Sequence, residues 1–402
     1  MMREEPENLG LSSERLRRLS ATLQASVDSA EIPGAVVLIA RHGKIAYFEP
    51  FGFRDREIGA AMERDSIFRI ASMTKPVTSL AAMMLVEEGK LSLTSPVSQY
   101  LPELKNLKVG LEAADGSLSL APPRREATVL DLFRHTSGFT YGFLGNSPVK
   151  QLYNASGIDN PQITKDEFIA KLSALPLQFE PGAAWGYGVS IDVLGHIVEA
   201  IARVSLEKFI AKRITEPLRM PDSAFWVENP KQQRLAEPQV DPATGKRPSM
   251  RNAASRPGRF NGGGAMLSTP ADYARFCQFW LNRGELDGVR LVSRKTAELM
   301  IQDHLPQGIG FDADTAALFG PALPSSTYGY GFGLGFAVRT HVGRHPVHGS
   351  VGDFYWVGST GTSFWIDPSE QLLAILMMQA PFQLMFPYYF RTRTLVYQAL
   401  ID

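Results

Sequence analysis

Ser72 and Lys75, in the string Ser72-Met73-Thr74-Lys75, are the pair whose types and spacing can do chemistry. Three positions apart on a helix, the two side chains share one face. A serine hydroxyl is a poor nucleophile until a neighbouring base takes its proton, and a lysine beside it can be that base or assist it. The pair therefore suggests an acyl-serine intermediate. The same pattern recurs as Ser147-Pro148-Val149-Lys150 and as Ser205-Leu206-Glu207-Lys208. The first falls in a Gly/Pro/Asn loop with nothing to hold the lysine over the serine. The second reads as a helix start, with Ser205 as N-cap and Lys208 on the surface. Only at Ser72 does an apolar run, Ile67-Phe68-Arg69-Ile70-Ala71, lead into a buried helical pattern from Pro76 to about Glu88. The competing reading of Ser72 is an ordinary helix cap.

An acyl-transfer site also needs a proton shuttle and two donors for the oxyanion. Tyr187, in Trp185-Gly186-Tyr187-Gly188-Val189-Ser190, is the candidate shuttle. Glycines on both sides permit a tight loop, and the helical pattern Ser190–Arg203 anchors it. A lysine ammonium nearby favours phenolate, so Tyr187 would take the Ser72 proton and pass it to the leaving group. The alternative is a packed loop aromatic.

The elements that must position these groups follow from pattern. An amphipathic helix runs from Leu11-Ser12-Ser13 to about Ser29, with Leu16, Leu19, Leu23 and Val27 near helical spacing. Ala35–Ala40 reads as a buried strand, turned by His42-Gly43 into Lys44–Phe48. From Leu91 to about Phe260, helical pieces alternate with long loops, Leu104–Arg125 and Tyr141–Gln162 among them. Thr269-Pro270-Ala271-Asp272 starts a helix with a cap, a proline and an acid in the expected places. Strands return at Tyr328–Arg339, Val347–Val357, Thr362–Ile366 and Leu372–Gln379, before a closing helix over about Arg391–Ile401. The expected architecture is α/β (α+β): a mostly antiparallel sheet flanked by helices. Residues 1–90 and 261–402 would form this discontinuous sheet domain. Residues 91–260 would form an inserted, mainly helical domain walling one side of the cleft.

These segments together resemble the serine β-lactamase and penicillin-binding superfamily. They are most similar to its esterase branch, the family VIII carboxylesterases related to class C β-lactamases. The resemblance is carried by Phe68–Lys75, Leu132-Phe133-Arg134-His135-Thr136-Ser137-Gly138, Trp185–Gly195, Gly262-Gly263-Gly264 and Trp356–Pro368, in the expected order over most of the chain. It implies a Ser-Lys-Tyr site of Ser72, Lys75 and Tyr187, and makes His135 a structural residue behind the nucleophile helix. It also implies a third element beside the nucleophile: Lys-Thr-Gly in class C β-lactamases, Trp-Gly-Gly in the esterases, and here Trp356-Val357-Gly358-Ser359. Carried over, the N–H groups of Ser72 and Ser359 form the oxyanion hole, and Val357 in place of a glycine narrows the cleft or tilts the strand. His348-Gly349-Ser350 is a rival for this element. Tyr141, Trp185 and Phe354, together with Phe143 and Tyr355, are candidates for an acyl pocket. Two departures favour esters over lactams: the asparagine expected two residues after the tyrosine is Val189, and Lys-Thr-Gly is absent, Lys295-Thr296-Ala297 reading as helix.

Other signals set limits. Lys+Arg and Asp+Glu number 41 each, which argues against a nucleic-acid partner. With 44% hydrophobic and 20% charged residues the chain reads as globular, and no apolar run has the length of a membrane span. The N-terminus shows no signal-peptide pattern and the lone Cys277 reads as a buried thiol, so a cytoplasmic location is expected. No Gly-x-Ser-x-Gly string occurs. The His341, His345 and His348 cluster is broken by Gly343 and Pro346 and reads as a polar turn rather than a metal site. The Gly329–Gly335 glycine alternation reads as a closely packed strand rather than a phosphate cradle. The expectation is a serine carboxylesterase for short-chain, small-molecule esters, without cofactor, with weak β-lactamase or acyltransferase activity. The alternatives are a β-lactamase or D-amino-acid amidase on the same fold, and a non-catalytic binding protein.

Overall fold

The computed structural model describes residues 1–113, 115–241 and 244–402. Both ends of the chain build an eight-stranded sheet. Its N-terminal strands are β1 (Gly34–Arg41), β2 (Lys44–Asp55) and β3 (Ala60–Ala61). Its C-terminal strands are β4 (Tyr330–Phe332), β5 (Ala337–Arg339), β6 (Phe354–Gly358), β7 (Thr362–Asp367) and β8 (Leu372–Met378). The order is β4-β5-β6-β7-β8-β1-β2-β3, antiparallel throughout. The seam between the two ends sets Val36 opposite Met377 and Leu38 opposite Ile375. Every residue of β1 and β8 is buried. Their apolar runs do not alternate because helices cover both faces.

Five helices do the covering and positioning: α1 (Ser13–Asp28), α2 (Thr74–Glu87), α3 (Ser190–Ala202), α4 (Pro270–Leu281) and α5 (Met385–Tyr397). The stripe Leu16, Leu19, Leu23 and Val27 buries one side of α1, and Ser12 caps it by accepting from the Arg15 N–H. α1 packs with α5 on one face of the sheet, while α4 packs on β1, β7 and β8 from the other. Thr269 caps α4 with Pro270 at its first position, as its sequence requires. α2 is buried from Thr74 to Leu85, so it has no solvent face, and α3 packs along it. The fold is thus α/β, a large antiparallel sheet flanked by helices. Among the described residues, the stretch 91–260 contributes no strand to that sheet. No helix of the described residues is long and apolar enough to cross a membrane.

Several expectations need correction. Tyr141–Gln162 is not all loop: Pro148–Ser156 is helical, and Ser147 caps it by accepting from the Lys150 N–H. Leu104–Arg125 contains a hairpin, Val109–Glu112 with Leu118–Ala121. The strand expected over Val347–Val357 begins only at Phe354, because the Val347 and His348 carbonyls are taken by the side chains of Arg339 and Arg393. His348-Gly349-Ser350 therefore lies off the sheet and does not supply the third element. The stretch Tyr328–Arg339 is two short strands, broken where Gly333 and Gly335 pass close to the Met300 carbonyl and to Ser79. The closing helix starts earlier than expected, at Met385. The reading of Ser205 as a cap needs no change: it accepts from the Lys208 N–H.

Candidate active site

The pair Phe68–Arg69 makes a two-residue ladder with Leu267–Ser268, and the chain then turns sharply through Ala71–Met73 into α2. Ala71 adopts φ 44°, a left-handed conformation that costs a non-glycine residue energy and persists only where the surroundings enforce it. Here they do. The Thr74 hydroxyl donates to the Ala71 carbonyl at 2.7 Å and accepts from the Met266 N–H at 3.0 Å, and the Tyr273 hydroxyl donates to the Met73 carbonyl at 2.8 Å. The turn sets Ser72 into a cavity of about 600 Å³.

Lys75 is 1% exposed. Its Nζ lies 3.1 Å from Ser72 Oγ, 3.2 Å from Tyr141 Oη and 2.6 Å from the Gly263 carbonyl oxygen. The last contact depends on the triple glycine. A side chain at Gly262 would meet the Ile191 carbonyl and Thr78 at 2.9 Å, and one at Gly263 would run into the Asp192 carboxylate. The strip Gly262–Met266 is pressed between α2 and α3, where its carbonyls also receive the Thr78 hydroxyl.

Tyr187 reaches the same place through a loop that only glycines allow. A side chain at Gly188 would strike the Phe139 carbonyl, and one at Gly186 would strike the Phe179 ring. The Tyr187 ring lies under Lys75 Nζ, 4.5 Å from centroid to nitrogen. Its phenol oxygen is not hydrogen-bonded to Ser72 or Lys75; it accepts from Trp356 Nε1 at 3.3 Å. His135 packs on the ring at 4.8 Å, with both ring nitrogens lacking a hydrogen-bond partner among the described residues. Burial and the Lys75 charge push this imidazole well below 6.5, so it is a neutral packing group.

Tyr141 lines the cavity, and its hydroxyl also accepts from Lys75 Nζ. Burial and the nearby Asp192 carboxylate push the phenol well above 10, so it keeps its proton. Nothing in the local pattern around residue 141 signals this contact, which joins positions far apart in the chain.

The strand end beside Ser72 is fixed by two hydroxyls. Thr360 Oγ1 donates to the Arg69 carbonyl at 2.7 Å and Thr362 Oγ1 to the Ile70 carbonyl at 3.1 Å. Gly358 lets the two backbones approach, since a Cβ there would collide with that threonine and that carbonyl. Ser359 lines the cavity, and its N–H makes no hydrogen bond among the described residues. Trp356 and Val357 also line it.

Three candidates for the acyl wall are corrected. Trp185 is fully buried behind Tyr187, edge-on to Phe319 and tilted against Phe332, and supports the tyrosine instead of facing the cavity. Phe354 shares the face of Trp356 but lies two residues further along β6, roughly 7 Å away, where Trp280 and Phe336 cover it. Tyr355 points to the opposite face, against Tyr389. The apolar wall is made instead by Leu144, Leu318, Phe319, Phe382 and Met385, with Phe143 exposed at the rim and stacked on Tyr141.

Behind that wall, one buried cation ties two helices. Lys150, fully buried, reaches Asp312 at 2.8 Å and Asp314 at 2.7 Å. It thereby joins the helix Pro148–Ser156 to the helix Ala313–Phe319, whose last turn carries Leu318 and Phe319. No group of His, Cys, Asp and Glu suited to a metal occurs among the described residues. His345 instead packs between Tyr330 and Phe390, and His348 stacks on Tyr397.

Comparison with known proteins finds relatives along most of the chain. A family model described as Beta-lactamase matches residues 19–388. Protein Rv1367c of Mycobacterium tuberculosis is 36% identical over 366 residues, covering 89% of this chain and 88% of that protein. Esterase EstB of Burkholderia gladioli is 31% identical over 388 residues, covering 91% of each. The solved structure of EstCE1, a hydrolase with promiscuous acyltransferase activity, matches with a TM-score of 0.77 at 26% identity, covering 96% of this chain and 99% of that one.

Proposed function

The chain belongs to the beta-lactamase family and is a serine hydrolase of esterase type, and we propose that it hydrolyses short-chain carboxylic esters through an acyl-serine on Ser72. The observation that carries this reading is the 3.1 Å approach of Lys75 Nζ to Ser72 Oγ on the wall of a largely apolar cavity. Ser72 Oγ attacks the ester carbonyl, and the N–H groups of Ser72 and Ser359 receive the oxyanion. The Ser72 proton passes to the Lys75–Tyr187 pair and from there to the departing alkoxide, so the ester C–O bond breaks as an alcohol leaves. Water then attacks the acyl-serine, the same pair taking its proton and returning it to Ser72 Oγ as the acyl C–O bond breaks and the carboxylic acid leaves. An alcohol in place of water makes the step an acyl transfer, as in the promiscuous acyltransferase activity of EstCE1.

Of the two phenols beside Lys75, Tyr187 is the better carrier. Tyr141 is held protonated by burial and by carboxylates, so it serves as a fixed partner of the lysine. For Tyr187 to act, its oxygen leaves Trp356 Nε1 when substrate arrives, a short move for a ring already under the ammonium. A cytoplasmic location belongs to the same proposal, supported by the single, buried and unpaired Cys277.

The test compares turnover of p-nitrophenyl butyrate with nitrocefin and a D-alanyl anilide, with fluorophosphonate labelling read by mass spectrometry. Dominant ester turnover and an adduct on Ser72 are expected. A faster lactam or amide rate would replace the esterase reading, and absence of an adduct would replace the enzyme reading. Ser72→Ala should abolish turnover with the melting temperature nearly unchanged.

A further inference from the structure

Three arginines line the cavity, Arg69, Arg251 and Arg259, against one carboxylate, Asp159. Two of the arginines are neutralised locally: Arg69 by Glu237 at 2.9 Å and Arg259 by Asp192 at 3.3 Å. Asp159 is grouped with Asp192 and Arg259, whose charges act on it. Arg251 differs. Its Nη2 donates to the Ala265 carbonyl at 2.9 Å and its Nη1 to the Asn252 carbonyl at 3.3 Å, and it makes no ion pair among the described residues. Carbonyl oxygens satisfy donors but leave the charge uncompensated. The charge that acts on it is repulsive, from Arg69, whose Nε donates to the Arg251 carbonyl at 2.8 Å. Loss of hydration and this repulsion pull the guanidinium down to about 10. An arginine kept partly desolvated without a counter-ion costs free energy that an anion arriving in the cavity would recover.

Its place relative to the reaction is set by backbone. The Ala265 carbonyl that Arg251 holds lies two residues beyond Gly263, whose carbonyl holds Lys75, and the Met266 carbonyl accepts from the Ile70 N–H. Residues 262–264 form a turn, closed by the Ala265 N–H on the Asn261 carbonyl at 3.2 Å, so Gly263 and Ala265 lie within the roughly 7 Å that two extended residues would span. The guanidinium thus hangs on the strip that positions the catalytic lysine, at a distance a few bonds of substrate can cover.

The geometry points to Arg251 as an anchor for a free carboxylate on the substrate, which makes the preferred substrates esters that also bear an acid group. This rests on the esterase reading and specifies it. The scissile ester lies at Ser72 and the carboxylate lies on Arg251, on either the acyl or the alcohol side of the ester. The mostly apolar wall accepts the remainder of the molecule.

The experiment compares kcat/KM for p-nitrophenyl hemiglutarate with p-nitrophenyl butyrate, which places the acid on the acyl side. It also compares 4-acetoxybenzoate with its methyl ester, which places the acid on the alcohol side. Wild-type enzyme should favour the charged member of one pair by about tenfold or more, the span of one charge-assisted bidentate contact. Arg251→Gln should lose that ratio and Arg251→Lys should keep part of it. Ratios near one on both sides, with the neutral esters still turned over, would overturn the anchor and leave the esterase reading standing. A ratio that survives Arg251→Gln would also overturn it. A binding readout covers failure of turnover itself. On Ser72→Ala, calorimetry should find monomethyl glutarate bound about tenfold tighter than dimethyl glutarate, and equal affinities would reject the anchor. If Arg251→Gln does not fold, the wild-type ratios and these affinities decide.

Discussion

Gly358→Ala tests whether the end of β6 supplies a catalytic donor. The added methyl would stand 3.2 Å from the Ile70 carbonyl carbon, with that carbonyl's oxygen and the Thr362 hydroxyl nearer still. Neither obstacle is the free end of a flexible side chain. One is backbone, and the other is a hydroxyl already committed to the same carbonyl. To restore an ordinary C···O separation of about 3.3–3.6 Å, the two backbones must part by roughly 1 Å. Ser359 is the next residue and Ser72 lies two beyond Ile70, so the displacement falls between the two proposed oxyanion donors. A misplacement of about 1 Å costs on the order of 10²-fold in rate, and outright loss of one donor about 10²–10³-fold. We therefore expect kcat for p-nitrophenyl butyrate to fall by about 10²-fold, the equivalent of about 2.7 kcal/mol, with KM changed by less than about threefold. Fluorophosphonate labelling of Ser72 should slow in parallel, because it too builds charge on that oxygen. The overpacking should cost about 1–3 kcal/mol in urea unfolding. Gly310→Ala, where a methyl meets nothing closer than 3.3 Å, controls for loss of a glycine as such. Gly358→Ala enzyme with wild-type kcat and a normal labelling rate would show that the Ser359 N–H takes no part in the reaction.

Tyr187→Phe should lower kcat by about 10²–10⁴-fold. Tyr141→Phe should cost about tenfold, since Lys75 keeps the Gly263 carbonyl and Ser72 as partners. The reverse order of effects in a pH–rate series would make Tyr141 the proton carrier. Acid stability should depend on His345, whose pKa is lowered from 6.5 to about 3 by burial and by Arg339 and Arg393. A histidine depressed in this way contributes stability fully above its unfolded pKa and loses it as pH falls from 6.5 towards 3. Going from pH 7 to pH 5 should therefore remove about 2 kcal/mol. His345→Gln should flatten that dependence in urea midpoints, and an unchanged slope would assign the effect to other groups. Lys150→Met leaves the nearly buried Asp312 without its cation, while the half-exposed Asp314 stays hydrated, so it should destabilise the fold by about 3 kcal/mol. It should also raise the turnover of bulky esters relative to butyrate in steady-state assays.

How much of the site is legible in the amino-acid sequence depends on whether a relation is local or distant. The Ser72–Lys75 contact is one helical spacing, and the glycines about Tyr187 announce a close approach that the Phe139 carbonyl explains. The capping signals at Ser12, Ser205 and Thr269 likewise act within four residues. The helix Pro148–Ser156 carries the same signal, a serine cap followed by proline, but the surrounding Gly and Asn residues masked it. Relations set by packing were not legible. The bond from Trp356 to the Tyr187 oxygen, the contact of Tyr141 with Lys75, and the lack of a counter-ion at Arg251 each join segments more than 60 residues apart or depend on what a distant segment fails to provide. The segment 347–353 shows the opposite error. Its residues are acceptable in a strand, but two arginines from elsewhere capture the carbonyls that a ladder would need.

The Lys150 tie has a consequence for how the catalyst can change. Because one fully buried ammonium bridges two carboxylates, the rim behaves as a hinge pin rather than a soft lip. Widening the mouth in small steps is therefore resisted, since parting the helices separates charges before it admits any ligand. New tolerance for large molecules is more readily acquired on the opposite bank, where Ser249, Met250 and Pro257, all uncharged side chains, border the same opening. Laboratory selection for bulky acyl donors should accumulate changes there first, and reach Lys150 only together with a replacement of Asp312 or Asp314.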